Sequence, residues 1–230
     1  MTLTATAPSW TADTDYRTEW AETSDPRIVA VIARDAEPSA PYGDALCPAY
    51  YVETRGYATR TDRAGEVYHD DESDALASLW ADARDRAPHR RDRDEFAARV
   101  LRAFHDTRAV SFSGGYQRKT TILLLDTPAY RAHVGRDTSP TGATIHTTWT
   151  DDELFAGERG EWVAYLDGEV YGIGYATLPE RVTTETPIPD DLAGWDVEIE
   201  CWGFYGETYA KETALTFEHG APALPAMLAL

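Results

Sequence analysis

The stretch W-D-V-E-I-E-C-W-G-F-Y-G, from Trp195 to Gly206, combines a strand pattern, an aromatic corner between two glycines and the start of a helix. Its first seven residues alternate, which indicates a half-buried strand because successive strand side chains point to opposite faces. One face is predicted to carry Val197, Ile199 and Cys201. The other is predicted to carry a row of carboxylates at a spacing of roughly 6.5–7 Å: Asp196, Glu198 and Glu200.

The aromatic corner follows this row, where Gly203 and Gly206 bracket a Phe-Tyr pair. Glycine tolerates positive φ, so the chain is predicted to leave the strand sharply and to enter a helix over residues 207–219. Two interpretations of the aromatic residues stay open. Trp202 and Tyr205 belong to the core, or they form an exposed contact site, since Trp and Tyr are favoured at binding hot spots.

An Asp-Gly pair at positions 167–168 separates two apolar runs, 161–166 and 169–176. Such a pair between two runs predicts a β-hairpin. Tyr171 lies on one face of the second run and joins the candidate contact residues. The other face is predicted to leave room for a bulky neighbour, because two glycines share it: Gly172 and Gly174.

The segments Y-L-D-G-E-V-Y-G (165–172) and E-C-W-G-F-Y-G (200–206) form a paired signature. It resembles a Y-L-x-G-D-V-Y-G hairpin and an S-C-W-G-F-Y-G strand end in a family of uncharacterised accessory proteins of actinobacterial phages and related mobile elements. Residues 35–47 and 101–135 resemble further pieces of the same proteins, so that roughly half of the chain is covered. The chain departs from the signature at Glu169, where aspartate is usual, and at Glu200, where serine is usual. The resemblance implies a small accessory protein of a virus or mobile element and transfers no catalytic residue.

The remaining pattern indicates a mixture of helices and strands. Strands are predicted at 27–34, 49–54, 109–112 and 120–125, helices at 70–87 and 92–105, and helix starts at Thr127 and Thr150. We expect an α+β fold with a mainly antiparallel sheet of five to seven strands and three or four helices. A single domain over residues 27–220, containing the helical pair at 70–107, is predicted between a poorly determined N-terminal segment (1–26) and a tail (221–230).

The formal charge of −19 over 230 residues is unevenly spread, with −9 over residues 1–80, +4 over 81–140 and −14 over 141–230. Such a charge repels nucleic acid and anionic membranes and favours basic partners. The chain contains no apolar run long enough to cross a bilayer and starts without signal-peptide features, so a cytoplasmic protein is expected. One alternative stays open. With 2 lysines against 19 arginines the composition fits a GC-rich genome, and a salt-loving host would itself select an acidic surface.

No known catalytic spacing joins the histidines, serines and cysteines, since H-E-x-x-H, G-x-S-x-G and C-x-x-C are all missing. Cys47 and Cys201 are expected to be buried thiols, because a cytosolic chain of this size needs no disulfide. The acids that follow Thr150 match a helix capping box better than a metal site. The sequence therefore favours a protein without metal or cofactor, and it favours a non-enzyme.

The acidic C-terminal part and the resemblance together predict a protein that binds a host protein in the host cytoplasm. One version is a DNA mimic whose carboxylates occupy a nucleic-acid-binding groove and block a defence enzyme. Two alternatives stay open: a small hydrolase or transferase for a nucleotide-like ligand, and a virion or assembly component. Direct binding of nucleic acid or membrane is not expected. The candidate interaction surface consists of Asp196, Glu198, Glu200, Trp202, Tyr205 and Tyr171.

Overall fold

The structure is a computed structural model that describes residues 9–13, 17–23, 25, 27–43, 46–115, 120–134, 151–178 and 192–216, with the backbone alone for 151–155. Where the sequence predicts one domain, the chain divides into two compact units. The first unit consists of Met1–Pro38 and Gly168–Ala229, and the second consists of Ser39–Asp167. The second unit is therefore an insertion within the first.

The described residues form eleven strands and five helices, which confirms the α+β class. The first unit contains β1 (Thr11–Ala12), β2 (Thr18–Glu22), β3 (Ile28–Arg34), β10 (Val170–Thr177), β11 (Asp196–Tyr205) and α5 (Glu207–Thr216). The second contains β4 (Tyr42–Gly43), β5 (Ala49–Arg55), β6 (Ala58–Arg63), β7 (Glu66–Val67), α1 (Asp71–Asp85), α2 (Arg93–His105), β8 (Arg108–Gly114), β9 (Thr120–Asp126), α3 (Pro128–His133) and α4 (Asp151–Asp167).

The first unit is built on one antiparallel sheet in the order β1-β2-β3-β10-β11. Its central strand β3 is buried on both faces, as its unbroken apolar sequence predicts. One face of the sheet packs against α5 through the small residues Ala210 and Ala214. The opposite face buries a second cluster that includes Trp20, Leu192 and Trp195. The candidate strand β11 lies at the edge of this sheet.

The second unit is built on an antiparallel sheet in the order β6-β5-β9-β8, beside the parallel pair β4–β7. The helical pair α1–α2 covers one face, where Trp80 and Leu101 are buried against β5 and β9. Helix α4 contributes Trp162 to the cluster on the other face. Sheet residues alternate between these two clusters, which is the strand periodicity that the sequence shows.

Helix α1 begins with a capping box. The Asp70 carboxylate accepts a hydrogen bond from the Ser73 backbone N–H, and the Ser73 hydroxyl lies 3.0 Å from the Asp70 backbone nitrogen. The sequence predicts Asp71 or Ser73 as the cap, one to three residues late. Because Ser73 also accepts a hydrogen bond from the Tyr50 hydroxyl, the cap ties the helix to β5.

Most predicted elements are confirmed, including the strands β3, β5, β8, β9 and β10, the α1–α2 hairpin and the short helix α3, whose Thr127 side chain caps it as predicted. Gly135, which the sequence predicts as the C-terminal stop of α3, lies outside the described part of the chain, as do Thr150 and residues 217–230. A helix does begin at Asp151, where the capping-box pattern predicts one.

The strand predicted at 161–166 is wrong. Residues 161–166 form the last turns of α4 rather than the first strand of a hairpin, so the Asp-Gly pair closes a helix. Gly168 has a φ of +72°, which serves a helix end as well as a hairpin turn. In α2, Ala97 and Leu101 are buried and Phe96 and Val100 pack beside them, whereas Phe104, near the end of the helix, is 78% exposed.

Candidate interaction surface

The candidate surface lies along β11, whose inner side pairs with β10. Among the described residues, no strand pairs with the other side of β11. Asp196 and Glu198 are exposed, and between them Val197 is 46% exposed. An exposed edge strand offers backbone hydrogen-bonding groups as well as side chains to a partner. The sequence predicts the acids, but their position at a sheet edge follows only from the strand order.

The alternation along β11 breaks at Glu200. Cys201 pairs with Ile173 and Ile199 pairs with Gly174, so Glu200 is an extra residue of a β-bulge. Because of this bulge, Ile199 packs on the face of Trp195, whereas Cys201 packs on the face of α5. The predicted common face of Val197, Ile199 and Cys201 is therefore wrong. The regular row of acids contains two members, Asp196 and Glu198, and the partly buried Glu200 stands out of register with them.

A second bulge lies at the aromatic corner. Gly203 has a φ of +96° and stands between the pairs Trp202–Gly172 and Phe204–Tyr171. The strand nevertheless continues to Tyr205, and the sharp exit occurs at Gly206, whose φ is +97°. Positive φ explains the need for glycine at both positions.

Trp202 rests on the sheet and faces solvent at the same time. A Cβ atom at Gly172 would lie only 2.6 Å from Cε3 of the Trp202 ring and 2.5 Å from Cγ2 of Ile199. The ring therefore covers the space that the glycine leaves, as the sequence predicts for a bulky neighbour. With 46% of Trp202 exposed, the residue also belongs to the accessible surface.

The two tyrosines of the candidate set are less exposed than Trp202. Tyr171 is 4% exposed in the cluster beneath α5, and its hydroxyl accepts a hydrogen bond from Arg34 at 3.3 Å. This hydrogen bond raises the pKa of Arg34. Tyr171 is therefore a core residue, and its place in the contact set is wrong because its face of β10 is covered by the helix. Tyr205 is partly buried.

The first unit is the more acidic of the two. Its sequence contains 18 acidic and 5 basic residues, a formal charge of −13, whereas the second unit has 22 and 16, a charge of −6. The one lysine of the first unit, Lys211, lies 2.6 Å from both Glu19 and Glu207. Burial lowers its pKa, but these two carboxylates raise it by more. Lys211 is thus paired with carboxylates of β2 and α5.

The titratable groups of the second unit mainly connect its elements. Arg84, which is 6% exposed, pairs with Asp94 of α2 and donates to Thr54 and Thr59 on the neighbouring strands. The ring nitrogens of His69 lie 3.0 Å from the Val67 carbonyl oxygen and 2.9 Å from that of Ala49. These contacts tie the helices and strand ends of the unit together.

Burial or a hydrogen bond raises the pKa of three further groups there. Desolvation raises the pKa of Glu161 in α4 to about 7, and its Oε2 atom is shielded from solvent without a hydrogen-bond partner. Desolvation also raises the pKa of Tyr51 to about 12. A hydrogen bond to Asp70 does the same for Tyr68, whose pKa is about 12. The sequence does not predict the burial of Glu161, because its segment has the pattern of a strand.

Cys47 and Cys201 are not joined by a disulfide, and they lie in different units. Within the described ranges, no group of three or more His, Cys, Asp or Glu side chains could hold a metal ion. Nor does any helix in the described part of the chain have the length and apolarity needed to cross a membrane. The chain matches no model of a known protein family, no curated protein and no solved structure.

Proposed function

We propose that the protein is an acidic accessory factor that binds a basic surface of a host protein through the β11 edge of its first unit. The observation that carries the proposal is the exposed pair Asp196 and Glu198 on an edge strand, with Val197 and Trp202 exposed beside it. Charged side chains speed and orient association, while a large aromatic residue adds contact energy. The unit's formal charge of −13 extends this attraction beyond the strand.

The partner expected from this charge is a basic, nucleic-acid-binding protein of the host. In the DNA-mimic version of the proposal, the carboxylates occupy the groove that normally receives phosphates. The bulge at Glu200 restricts the regular part of the row to two carboxylates. Mimicry therefore needs acids from the rest of the first unit in addition to those of β11.

The proposal is tested with immobilised protein and host lysate at low salt, followed by identification of the retained proteins. Reversing both charges (Asp196→Lys with Glu198→Lys) should remove a basic partner that the unchanged protein retains. The matched control, Asp62→Lys with Glu66→Lys, makes the same charge change at exposed positions of the second unit and should retain it. Retention should weaken as salt rises toward 0.5 M, since salt screens exposed charges.

Competition separates the two versions of the proposal. Excess duplex DNA should displace a partner that uses its nucleic-acid groove, and it should leave a partner that binds elsewhere. If the β11 variant and the control retain the same proteins, the β11 edge does not bind the partner and the proposed function is wrong.

A further inference from the structure

Hydrogen bonds on the inner side of the sheet determine which backbone groups of β11 face outward. Leu178 N–H donates to the Arg27 carbonyl at 2.9 Å, and Asp35 N–H donates to the Val170 carbonyl at 2.7 Å. Residues of an antiparallel strand turn their backbone groups alternately to one neighbour and the other. Even-numbered residues of β10 therefore bond β3, and its odd-numbered residues, including Tyr175, bond β11.

This alternation turns the Val197 backbone to the side of β11 with which no described strand pairs. Tyr175 pairs with Glu198 and Thr177 pairs with Asp196, so the backbone groups of these two acids are used inside the sheet. Val197, opposite Ala176, turns its N–H and C=O away from β10. Its residue exposure of 46% agrees with an accessible position.

The two faces of the edge differ in chemistry. Asp196 and Glu198 point to the α5 face, because their partners on β10 share the parity of Ile173 in the cluster beneath α5. Val197 points to the opposite face, as does its partner Ala176. A strand added to this edge would meet carboxylates on one face and an apolar surface on the other.

We propose that β11 accepts an extended basic segment of the partner protein as a sixth strand of the sheet, with lysine or arginine alternating with apolar residues. This inference rests on the proposed function and specifies how the partner binds. Backbone hydrogen bonds supply affinity in strand addition, and alternate side chains supply specificity. Because the bulge at Glu200 interrupts the ladder, regular pairing covers Asp196 to Ile199 and recognition is limited to a short segment.

Charge excludes a second copy of the chain as the occupant. Pairing β11 with β11 of another copy would bring carboxylates of the two strands close together, and like charges across strands are destabilising. A basic segment places opposite charges at the same positions. Charge complementarity thus selects the basic peptide among the segments that could add to this edge.

The decisive variant is Val197→Pro, which removes the outward N–H and leaves the hydrogen bonds to β10 intact. Proline is tolerated on edge strands where the N–H faces solvent. Thr61→Pro is the matched control. Ala64 N–H donates to the Ala49 carbonyl at 2.9 Å, so by the same alternation Thr61 turns outward on β6, the edge strand of the second unit.

The probe is a fluorescent peptide of seven residues in which lysine alternates with valine, measured by polarisation at low salt. The unchanged protein and the Thr61→Pro control should bind it equally, and Val197→Pro should bind about tenfold more weakly, as expected for one lost hydrogen bond. N-methylation of every second backbone nitrogen of the peptide should abolish binding when the methylated nitrogens face β11. Methylation of the other set of nitrogens should leave binding unchanged. Circular dichroism of each proline variant checks that it is folded.

Three outcomes would overturn strand addition. They are no binding of the peptide by the unchanged protein, equal binding by the two proline variants, and an equal effect of methylating either set of alternate peptide nitrogens. Equal binding by the proline variants together with loss in the Asp196→Lys, Glu198→Lys variant would leave the proposed function standing without strand addition. A dimer in sedimentation that Val197→Pro dissociates would show a second copy as the occupant and would also overturn the inference.

Discussion

At the scale of single residues, Glu161 is the clearest conflict between side-chain chemistry and burial. It lies in α4, and its unpartnered Oε2 is shielded from water, which favours the protonated carboxyl and raises the pKa to about 7 from an ordinary 4.5. Its neighbour Trp162 is fully buried and also has an unpartnered indole nitrogen. Packing Trp162 against the sheet thus brings with it the electrostatic cost of shielding the Glu161 carboxyl from water.

This cost predicts a pH-dependent stability. Between pH 4.5 and 7 the unfolded chain releases the Glu161 proton while the folded chain keeps it, so the free energy of unfolding falls as pH rises and levels off above pH 7. The total fall is at most about 3.5 kcal/mol, at 1.36 kcal/mol for each pKa unit. Glu161→Gln should remove this fall and should be more stable than the unchanged protein at pH 8.

Urea unfolding at pH 4.5 and pH 8 measures the Glu161 effect. Glu66→Gln, at an exposed position, is the control and should behave as the unchanged protein. An equal fall in stability for Glu161→Gln and for the control would show that the Glu161 carboxyl is ionised in the folded protein at neutral pH.

At the scale of elements, the pair β10–β11 depends on close backbone approach. A Cβ atom at Gly174 would lie 1.9 Å from the backbone oxygen of Glu198, whereas one at Gly172 would meet side chains of Ile199 and Trp202 at 2.5–2.7 Å. Side chains can rotate away, but a paired strand cannot move without losing hydrogen bonds. The two glycines of β10 therefore serve different purposes. Gly172 leaves room for the Trp202 ring, and Gly174 allows the backbone of β11 to approach closely.

The difference predicts unequal costs for two otherwise identical substitutions. Gly172→Ala should lower the free energy of unfolding by about 1–3 kcal/mol, the usual range for an overpacked core site. Gly174→Ala should cost more, because its obstacle is backbone, and should also weaken partner binding by displacing Glu198. Urea unfolding of the two variants checks the order, and a smaller cost for Gly174→Ala would contradict the close approach of β10 and β11.

At the scale of the whole molecule, the second unit is inserted between two neighbouring strands of the first. β3 and β10 pair directly in the sheet, with Arg34 opposite Tyr171, so the chain leaves and re-enters the first unit at adjacent positions. Each unit has its own sheet and its own buried clusters. A unit with its own core can in principle fold alone.

The insertion predicts that residues 39–167, expressed alone, fold with a cooperative thermal transition. Replacing the same residues by a short glycine-containing linker should leave a folded first unit, since the linker would join β3 to β10 as a hairpin. Circular dichroism during heating measures both. The matched control is a segment of equal length, 60–188, which cuts through both units and should show no cooperative transition. Failure of 39–167 to fold while the full chain folds would contradict independent cores.

Sequence patterns by themselves determined the α+β class, the buried strand β3, the helical pair, the Thr127 cap and the acids of β11, because each depends on local periodicity or local hydrogen bonding. Only the tertiary structure decided that β11 lies at an edge, that Glu200 stands in a bulge and that Tyr171 is covered by α5, since these depend on which distant strands and helices pack together. The error at α4 has the same cause, because local sequence does not show which distant residues pack together. Residues 161–166 form a short apolar run that suits a strand or a helix, and packing of Trp162 against the second sheet selects the helix.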